Sequence, residues 1–209
     1  TADGVRIGAL TSLTELETHP LIRERYTALS EAAAIAATPQ LRNMATIGGN
    51  LLQRPRCWYF RNAHFHCWLK GGDTCFARDG QNRQHAIFDG SPCVATHPSD
   101  PATALLALDA TVTVRGASGE RELPIADFFT LPTDDHRLET SLQPGELMLS
   151  IDLPATSSRS TFSKAMDRKT WAFALVSVAA SVAVTDGQIT SGRVVLGGVA
   201  PVPWGAEGA

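Results

Sequence analysis

The sequence predicts an α+β fold, with short helices early in the chain followed by antiparallel strands and hairpins. Three observations carry this reading. Between residues 20 and 38, Leu29, Ala32, Ala33 and Ala36 recur at helical spacing. Residues 110–116 alternate apolar and polar side chains, as a half-buried strand does. Further on, Asp186-Gly187 separates two apolar runs, a strong hairpin signal.

The elements follow in order. Residues 4–10 alternate and read as a strand; Thr11 or Ser12 is placed to cap a short helix with Glu15 in its first turn. The helix of 20–38 carries small alanines, which imply close packing, and Pro39 ends it. Residues 44–51 form a small-residue turn around Gly48-Gly49, and a segment of about 53–93 then interrupts the pattern. Pro98-Ser99-Asp100-Pro101 opens a helix over 102–108, with Ser99 or Asp100 capping and Pro101 in the first turn. The strand 110–116 turns back through 117–120 into 121–125, and a short helix or turn covers 126–129. Strands are expected at 147–153, 161–166, 175–184 and 189–199, with a linker at 157–160. A boundary near 155–160 divides the chain into 1–154, with mixed or antiparallel sheet and helices, and 155–209, the start of an antiparallel β subdomain.

Composition excludes several classes of function. The chain has 209 residues, 44% hydrophobic and 19% charged, with a net charge of -3. No global field favours nucleic acid, and no apolar stretch approaches the length of a membrane span.

All four cysteines fall in the interrupting segment, spaced Cys57-x9-Cys67-x7-Cys75-x17-Cys93. From spacing alone three readings stand: structural zinc, disulfides or free thiols, and an iron–sulfur cluster. Zinc usually wants paired C-x2–4-C knuckles, and none is present. Disulfides contribute less to a domain of this length than to a mini-protein. A cluster needs four thiolates, but the familiar ferredoxin spacings are absent. Local charge bears on the choice. Arg54, Arg56, Arg61, Lys70, Arg78 and Arg83 stand against Asp73, Asp79 and Asp89, an excess of three positive charges in a chain of net -3. Such cations either offset an anionic cluster or form a solvated loop face. His64, His66 and His97 lie nearby and read as surface or supporting groups, since four cysteines already complete a cage.

Two further motifs are ambiguous alone. Thr46-Ile47-Gly48-Gly49-Asn50 could turn successive backbone N–H groups and the Thr hydroxyl towards an anion, or could be a plain turn. Ser99-Asp100 could hold a ribose or ribityl hydroxyl, or could simply cap its helix. Lys164 could contact a phosphate or a flavin, or be a solvated lysine.

Together these pieces resemble a family. A-T-I-G-G-N-L, then P-S-D, G-E-L-M-L-S-I-D-L-P, F-S-K-A-x-x-R-K and V-V-L-G-G-V-A-P-x-P, in that order, are similar to the FAD-binding subunit of the xanthine dehydrogenase and molybdenum hydroxylase family. The four-cysteine insertion narrows the resemblance to subunits carrying a [4Fe–4S] cluster. These are the FAD subunit of bacterial periplasmic-type aldehyde oxidoreductases, which it resembles more, and that of 4-hydroxybenzoyl-CoA reductase.

The resemblance implies cluster ligation by Cys57, Cys67, Cys75 and Cys93. It implies FAD pyrophosphate contacts at Thr46, Gly48, Gly49 and Asn50, further FAD contacts at Ser99 and Asp100, and positions near the flavin ring at Leu147 and Lys164, with Met148 the alternative to Leu147. No catalytic residue on this chain is implied. The expected function is electron transfer within an oxidoreductase, from a molybdenum-cofactor subunit through [2Fe–2S] centres on a small subunit to FAD and an external acceptor. One alternative runs electrons the other way, as in a CoA-thioester reductase; another is a zinc-stapled scaffold without flavin. The family's first glycine-rich FAD loop is expected before residue 1, and further helices after residue 209. The expected compartment is the cytoplasm, or the periplasm by folded co-export on a partner's signal.

Overall fold

The structure, a computed structural model, describes residues 4–88 and 90–206. Asp89, one of the carboxylates in the local charge balance, lies outside the described residues.

Strand β1 (Gly4–Gly8) leads into helix α1 (Leu13–Thr18), which Ser12 opens with a capping box: the Ser12 hydroxyl accepts from the Glu15 N–H while Glu15 reaches back to the Ser12 N–H. The helix expected over 20–38 is instead two, α2 (Pro20–Arg25) and α3 (Thr27–Ile35), broken at Tyr26. Tyr26 is fully buried, and its hydroxyl donates to the Pro154 carbonyl at 2.8 Å. The break turns a large ring into the core while giving its polar end a partner. Pro39 starts rather than ends an element: α4 (Pro39–Met44) has Thr38 as its cap and Pro39 in its first turn. The glycine turn is also helical, as α5 (Ile47–Leu51).

Within the cysteine segment lie two single-turn helices, α6 (Trp58–Arg61) and α7 (Phe76–Asp79), and a 3₁₀ turn at Trp68–Lys70. Then follow α8 (Asp100–Ala107), β2 (Thr111–Gly116), β3 (Gly119–Pro124), α9 (Ile125–Phe128), β4 (Leu147–Pro154), β5 (Arg159–Ala165), β6 (Val176–Thr185), β7 (Gln188–Gly197) and β8 (Trp204–Gly205). The β6–β7 turn carries positive φ at both Asp186 (52°) and Gly187 (78°), the geometry of the expected Asp-Gly hairpin.

The strands form two antiparallel sheets, in the orders β1-β4-β2-β3 and β5-β6-β7-β8. Helices α3 and α8 lie between them. On one side Leu29, Ala33 and Leu105 join Val112, Val114, Ile151 and Leu153 of the first sheet in the main core. On the other, Ala28, Ala32, Ala104 and Ala107 meet Phe162, Ala179 and Val195 of the second sheet. Alanines on that face allow the close approach which their recurrence predicted. The cysteine segment forms a lobe with its own small core, in which Trp68, Leu69 and Ala95 surround Cys67 and Cys93. Among the described residues no helix is long and apolar enough to cross a membrane.

Candidate functional site

Helix α8 starts the site. The Ser99 hydroxyl accepts from the Ala102 N–H at 3.0 Å, the ordinary capping bond, and donates to the Asn50 side-chain oxygen. This ties the end of α5 to the start of α8. One residue on, Asp100 accepts from Lys164 Nζ at 2.6 Å, with the two side chains 9% and 1% exposed. Lys164 is therefore an internal ion-pair partner and not a solvated lysine. Burial pushes the Asp100 carboxyl up, and Lys164 opposes that shift.

The glycine turn departs from expectation in one respect. Its backbone donors are already engaged: Ile47 N–H with the Thr11 carbonyl (2.9 Å), Gly48 N–H with the Ala9 carbonyl (2.9 Å), Gly49 N–H with Thr46 Oγ1 (3.2 Å) and Asn50 N–H with the Thr46 carbonyl (2.9 Å). They do not form a free nest for an anion. Gly48 has a packing reason instead, since a Cβ there would sit 2.9 Å from the Ala9 carbonyl oxygen. Gly49 is exposed and leaves its side of α5 open to close approach. Leu147, at the start of β4, is exposed and does not line the cavity described next, and Met148 is buried in the main core. The structure thus joins Asn50 to Ser99 and Asp100 to Lys164, and leaves Leu147 apart.

Beside Ser99 and Asp100 opens a cavity of about 250 Å³. Its walls are the 96–100 approach to α8, the 167–175 loop after β5, the ends of β6 and β7 at Ser177 and Gly197, and Arg56, Cys57, Trp58 and His85 of the cysteine lobe. His97 stands in this wall fully buried. Its Nδ1 accepts from the Ser99 N–H at 3.3 Å, while Nε2 is buried with no hydrogen-bond partner. Burial drives its pKa down to about 4, so the ring is neutral.

In the lobe all four thiols are free, which removes the disulfide reading, and all four line one enclosed cavity walled by Tyr59, Phe60, Trp68, Leu69, Phe76 and Ala77. Cys57 and Cys75 occupy the N-caps of α6 and α7 without a side-chain capping bond, and the backbone N–H groups nearby, of Tyr59 and Phe60 at Cys57 and of Val94, Ala77 and Arg78 at Cys75, act to lower the pKa of each thiol. The Ala95 N–H acts in the same direction on Cys93. A hydrogen bond between the two lowers the Cys75 pKa and raises that of Cys93. Burial raises Cys57. Cys67 enters a tight loop in which both Lys70 and Gly72 N–H groups return to its carbonyl. Gly72 is required there, because a Cβ would lie 2.0 Å from the His66 carbonyl oxygen. Among the described residues no three ligating side chains close on a single-ion point. The four thiols line one small cavity and are the residues on this chain that could hold a metal ion or a cluster.

The lobe's cations are mostly exposed, yet three of them also brace its chain. Arg61 donates to the Pro55 and Arg54 carbonyls, Lys70 to those of Tyr59 and Asn62, and Arg78 to those of Ser91 and Pro92. They cross-tie the chain that presents the thiols. Two sets of residues had no sequence signal. His85 sits with Nε2 3.2 Å from Cys57 Sγ, and burial lowers its pKa against the opposing effects of Cys75 and the Asn82 carbonyl. The loop 130–142 grips the lobe through Pro132, Asp134, Arg137 and Glu139.

Residues 1–156 match the family model described as the FAD binding domain in molybdopterin dehydrogenase. This chain belongs to that family. Residues 161–209 match the CO dehydrogenase flavoprotein C-terminal domain. Relatives of this molybdopterin dehydrogenase domain include the aldehyde oxidoreductase FAD-binding subunit PaoB of Escherichia coli (strain K12), 46% identical over 100% of the chain and 65% of that protein. The nicotinate dehydrogenase FAD-subunit of Eubacterium barkeri is 29% identical over 93% of the chain and 52% of its own length. Among solved structures, carbon monoxide dehydrogenase from Hydrogenophaga pseudoflava is 27% identical with a TM-score of 0.69, covering 98% of this chain and 56% of that one. The chain therefore spans between about half and two thirds of these relatives' lengths.

Proposed function

We propose that this chain is the FAD-carrying electron-transfer part of a molybdenum-dependent aldehyde oxidoreductase, and that Cys57, Cys67, Cys75 and Cys93 hold a [4Fe–4S] cluster. The observation that carries the reading is the convergence of four free thiols on one enclosed cavity, next to a second cavity bounded by Ser99 and Asp100. The likeness to an aldehyde oxidoreductase FAD-binding subunit supplies the substrate class. The partners are a large molybdenum-cofactor subunit, a small [2Fe–2S] subunit and an external electron acceptor.

When bound, FAD and the cluster supply the redox chemistry itself. The chain's residues bind, orient and shield. Thr46, Gly49 and Asn50 offer the accessible face of α5 to the pyrophosphate part of FAD, while buried Gly48 lets α5 pack against Ala9. Ser99 holds Asn50 to α8, and the Asp100–Lys164 pair fixes a carboxylate at the cavity wall, where it accepts from a cofactor hydroxyl. Tyr59, Phe60, Trp68 and Phe76 keep water from the thiolates, and backbone N–H groups disperse their charge.

The intact enzyme, purified anaerobically, tests this directly. Expected are bound FAD, aldehyde-dependent dye reduction, and iron and acid-labile sulfide beyond the small subunit's share by about four each per chain. Cys67→Ser should lose that excess. Zinc without sulfide would overturn the cluster, and reductive dehydroxylation of an aromatic CoA ester in place of aldehyde oxidation would overturn the direction of electron flow.

A further inference from the structure

Cys57 is the one residue, among those described, that lines both the thiol cavity and the cavity beside Asp100. The other three cysteines face only the first. His85 lines the second cavity as well and brings Nε2 to 3.2 Å from Cys57 Sγ. Cys57 therefore stands between the two cavities, with an imidazole against its sulfur.

The ring is held in place. It is 6% exposed, packs edge-on to Trp58 with centroids 4.8 Å apart at 83°, and lies against Tyr59 at 6.4 Å. The backbone on either side is pinned, with His85 N–H on the Asn82 carbonyl and Ala86 N–H on that of Val94. Nδ1 is buried and has no acceptor in hydrogen-bonding geometry. A neutral imidazole has one ring proton to place. On Nδ1 that proton would have only the Asn82 carbonyl, which favours a ring proton but is not in hydrogen-bonding geometry; on Nε2 it meets sulfur at 3.2 Å.

We propose that His85 is a tuning residue, donating its Nε2–H to the Cys57 sulfur, and that Cys57 is the ligand by which the cluster faces the flavin cavity. This rests on the cluster reading above. A donor on a ligating sulfur disperses its negative charge and so favours the reduced, more negative cluster. Nearby backbone N–H groups act on Cys75 and Cys93 too, but among the described residues it is the Cys57 sulfur that has an imidazole as well, and it is the one at the flavin side.

The test is an EPR-monitored redox titration of the intact complex carrying wild-type chain, His85→Leu or His85→Gln, each assayed for iron and sulfide. His85→Leu should shift the one-electron equilibrium towards the oxidised cluster by about tenfold, or about 59 mV. His85→Gln, which keeps an N–H donor, should fall between the two. A His85→Leu cluster at full iron content and within about twofold of wild type would overturn the role of His85 alone. Wild-type chain holding zinc, or no sulfide, would instead overturn the cluster reading and this inference with it. Should His85→Leu assemble no cluster, ¹⁵N-histidine-labelled wild type decides: pulsed EPR of the reduced cluster should show coupling to one histidine nitrogen, and its absence overturns the donor assignment.

Discussion

At His97 a buried ring must stay neutral for the wall of the cavity to form. Its unfolded pKa is near the ordinary 6.5 and its folded value about 4, so the unfolded chain binds a proton that the folded chain refuses. The stability from this residue is complete above about pH 6.5 and is lost as pH falls towards 4, about 3 kcal/mol in all. Urea midpoints measured across that window should fall with pH in wild type. In His97→Asn, whose amide oxygen can still accept from the Ser99 N–H, the slope should largely disappear. At this scale the sequence is readable where chemistry is local. The caps at Ser12 and Ser99 each answer an N–H three residues along, and both were legible to within one residue, as Thr11 or Ser12 and as Ser99 or Asp100. Lys164 was not: its partner is 64 residues distant, and a lone lysine on a strand carries no mark of burial. His85 is the same case, a histidine in an irregular segment whose meaning depends on a sulfur 28 residues away.

Among elements, the loop 130–142 has no periodicity and no motif, yet it clamps the cysteine lobe. Arg137 Nη1 donates to the Trp68 and Gly72 carbonyls, each at 2.8 Å, and its guanidinium stacks 4.6 Å from the Trp68 ring. Trp68 Nε1 reaches Asp134 at 3.1 Å, Ser91 donates to the Pro132 carbonyl at 2.6 Å, and Arg54 pairs with Glu139. Arg137 thus holds both ends of the turn that follows Cys67. Arg137→Ala should cost about 2–3 kcal/mol through the unmet carbonyls. Hydrogen exchange at amides 67–72 should quicken well before global unfolding. Arg137→Lys should recover only part, because an ammonium lacks the planar fork that spans two acceptors and stacks on indole. The strands and hairpins were legible because alternation and Asp-Gly turns act within a few residues. The single break at Tyr26 was not, since only the core's demand for a buried ring explains it.

Across the whole molecule, the two sheets are held at a set spacing by alanines of α3 and α8. That spacing also decides whether Lys164, on β5, reaches Asp100, at the start of α8. Ala104→Leu should overpack this layer, at a cost of about 1–3 kcal/mol. Denaturation midpoint and FAD retention should fall together, whereas an equal loss of stability from a change within the first sheet's core should leave FAD retention in place. The α+β class was legible from the order of helical and alternating patterns. The helix layer between two sheets was not, because alanines at helical spacing reveal close packing without saying on how many sides.

The hydrogen bond between Ser99 and Asn50 has an evolutionary consequence. It brings the two ends of the cysteine lobe to one spot, so the chain leaves the domain and rejoins it at neighbouring points, while Phe88 stacks on Trp204 of β8. A segment attached in that way is a cassette. A lineage could acquire or discard such a segment in one event, and a protein engineer grafting it onto a flavin domain that lacks one would carry with it a gripping loop like 130–142 and the Trp204 that Phe88 stacks on.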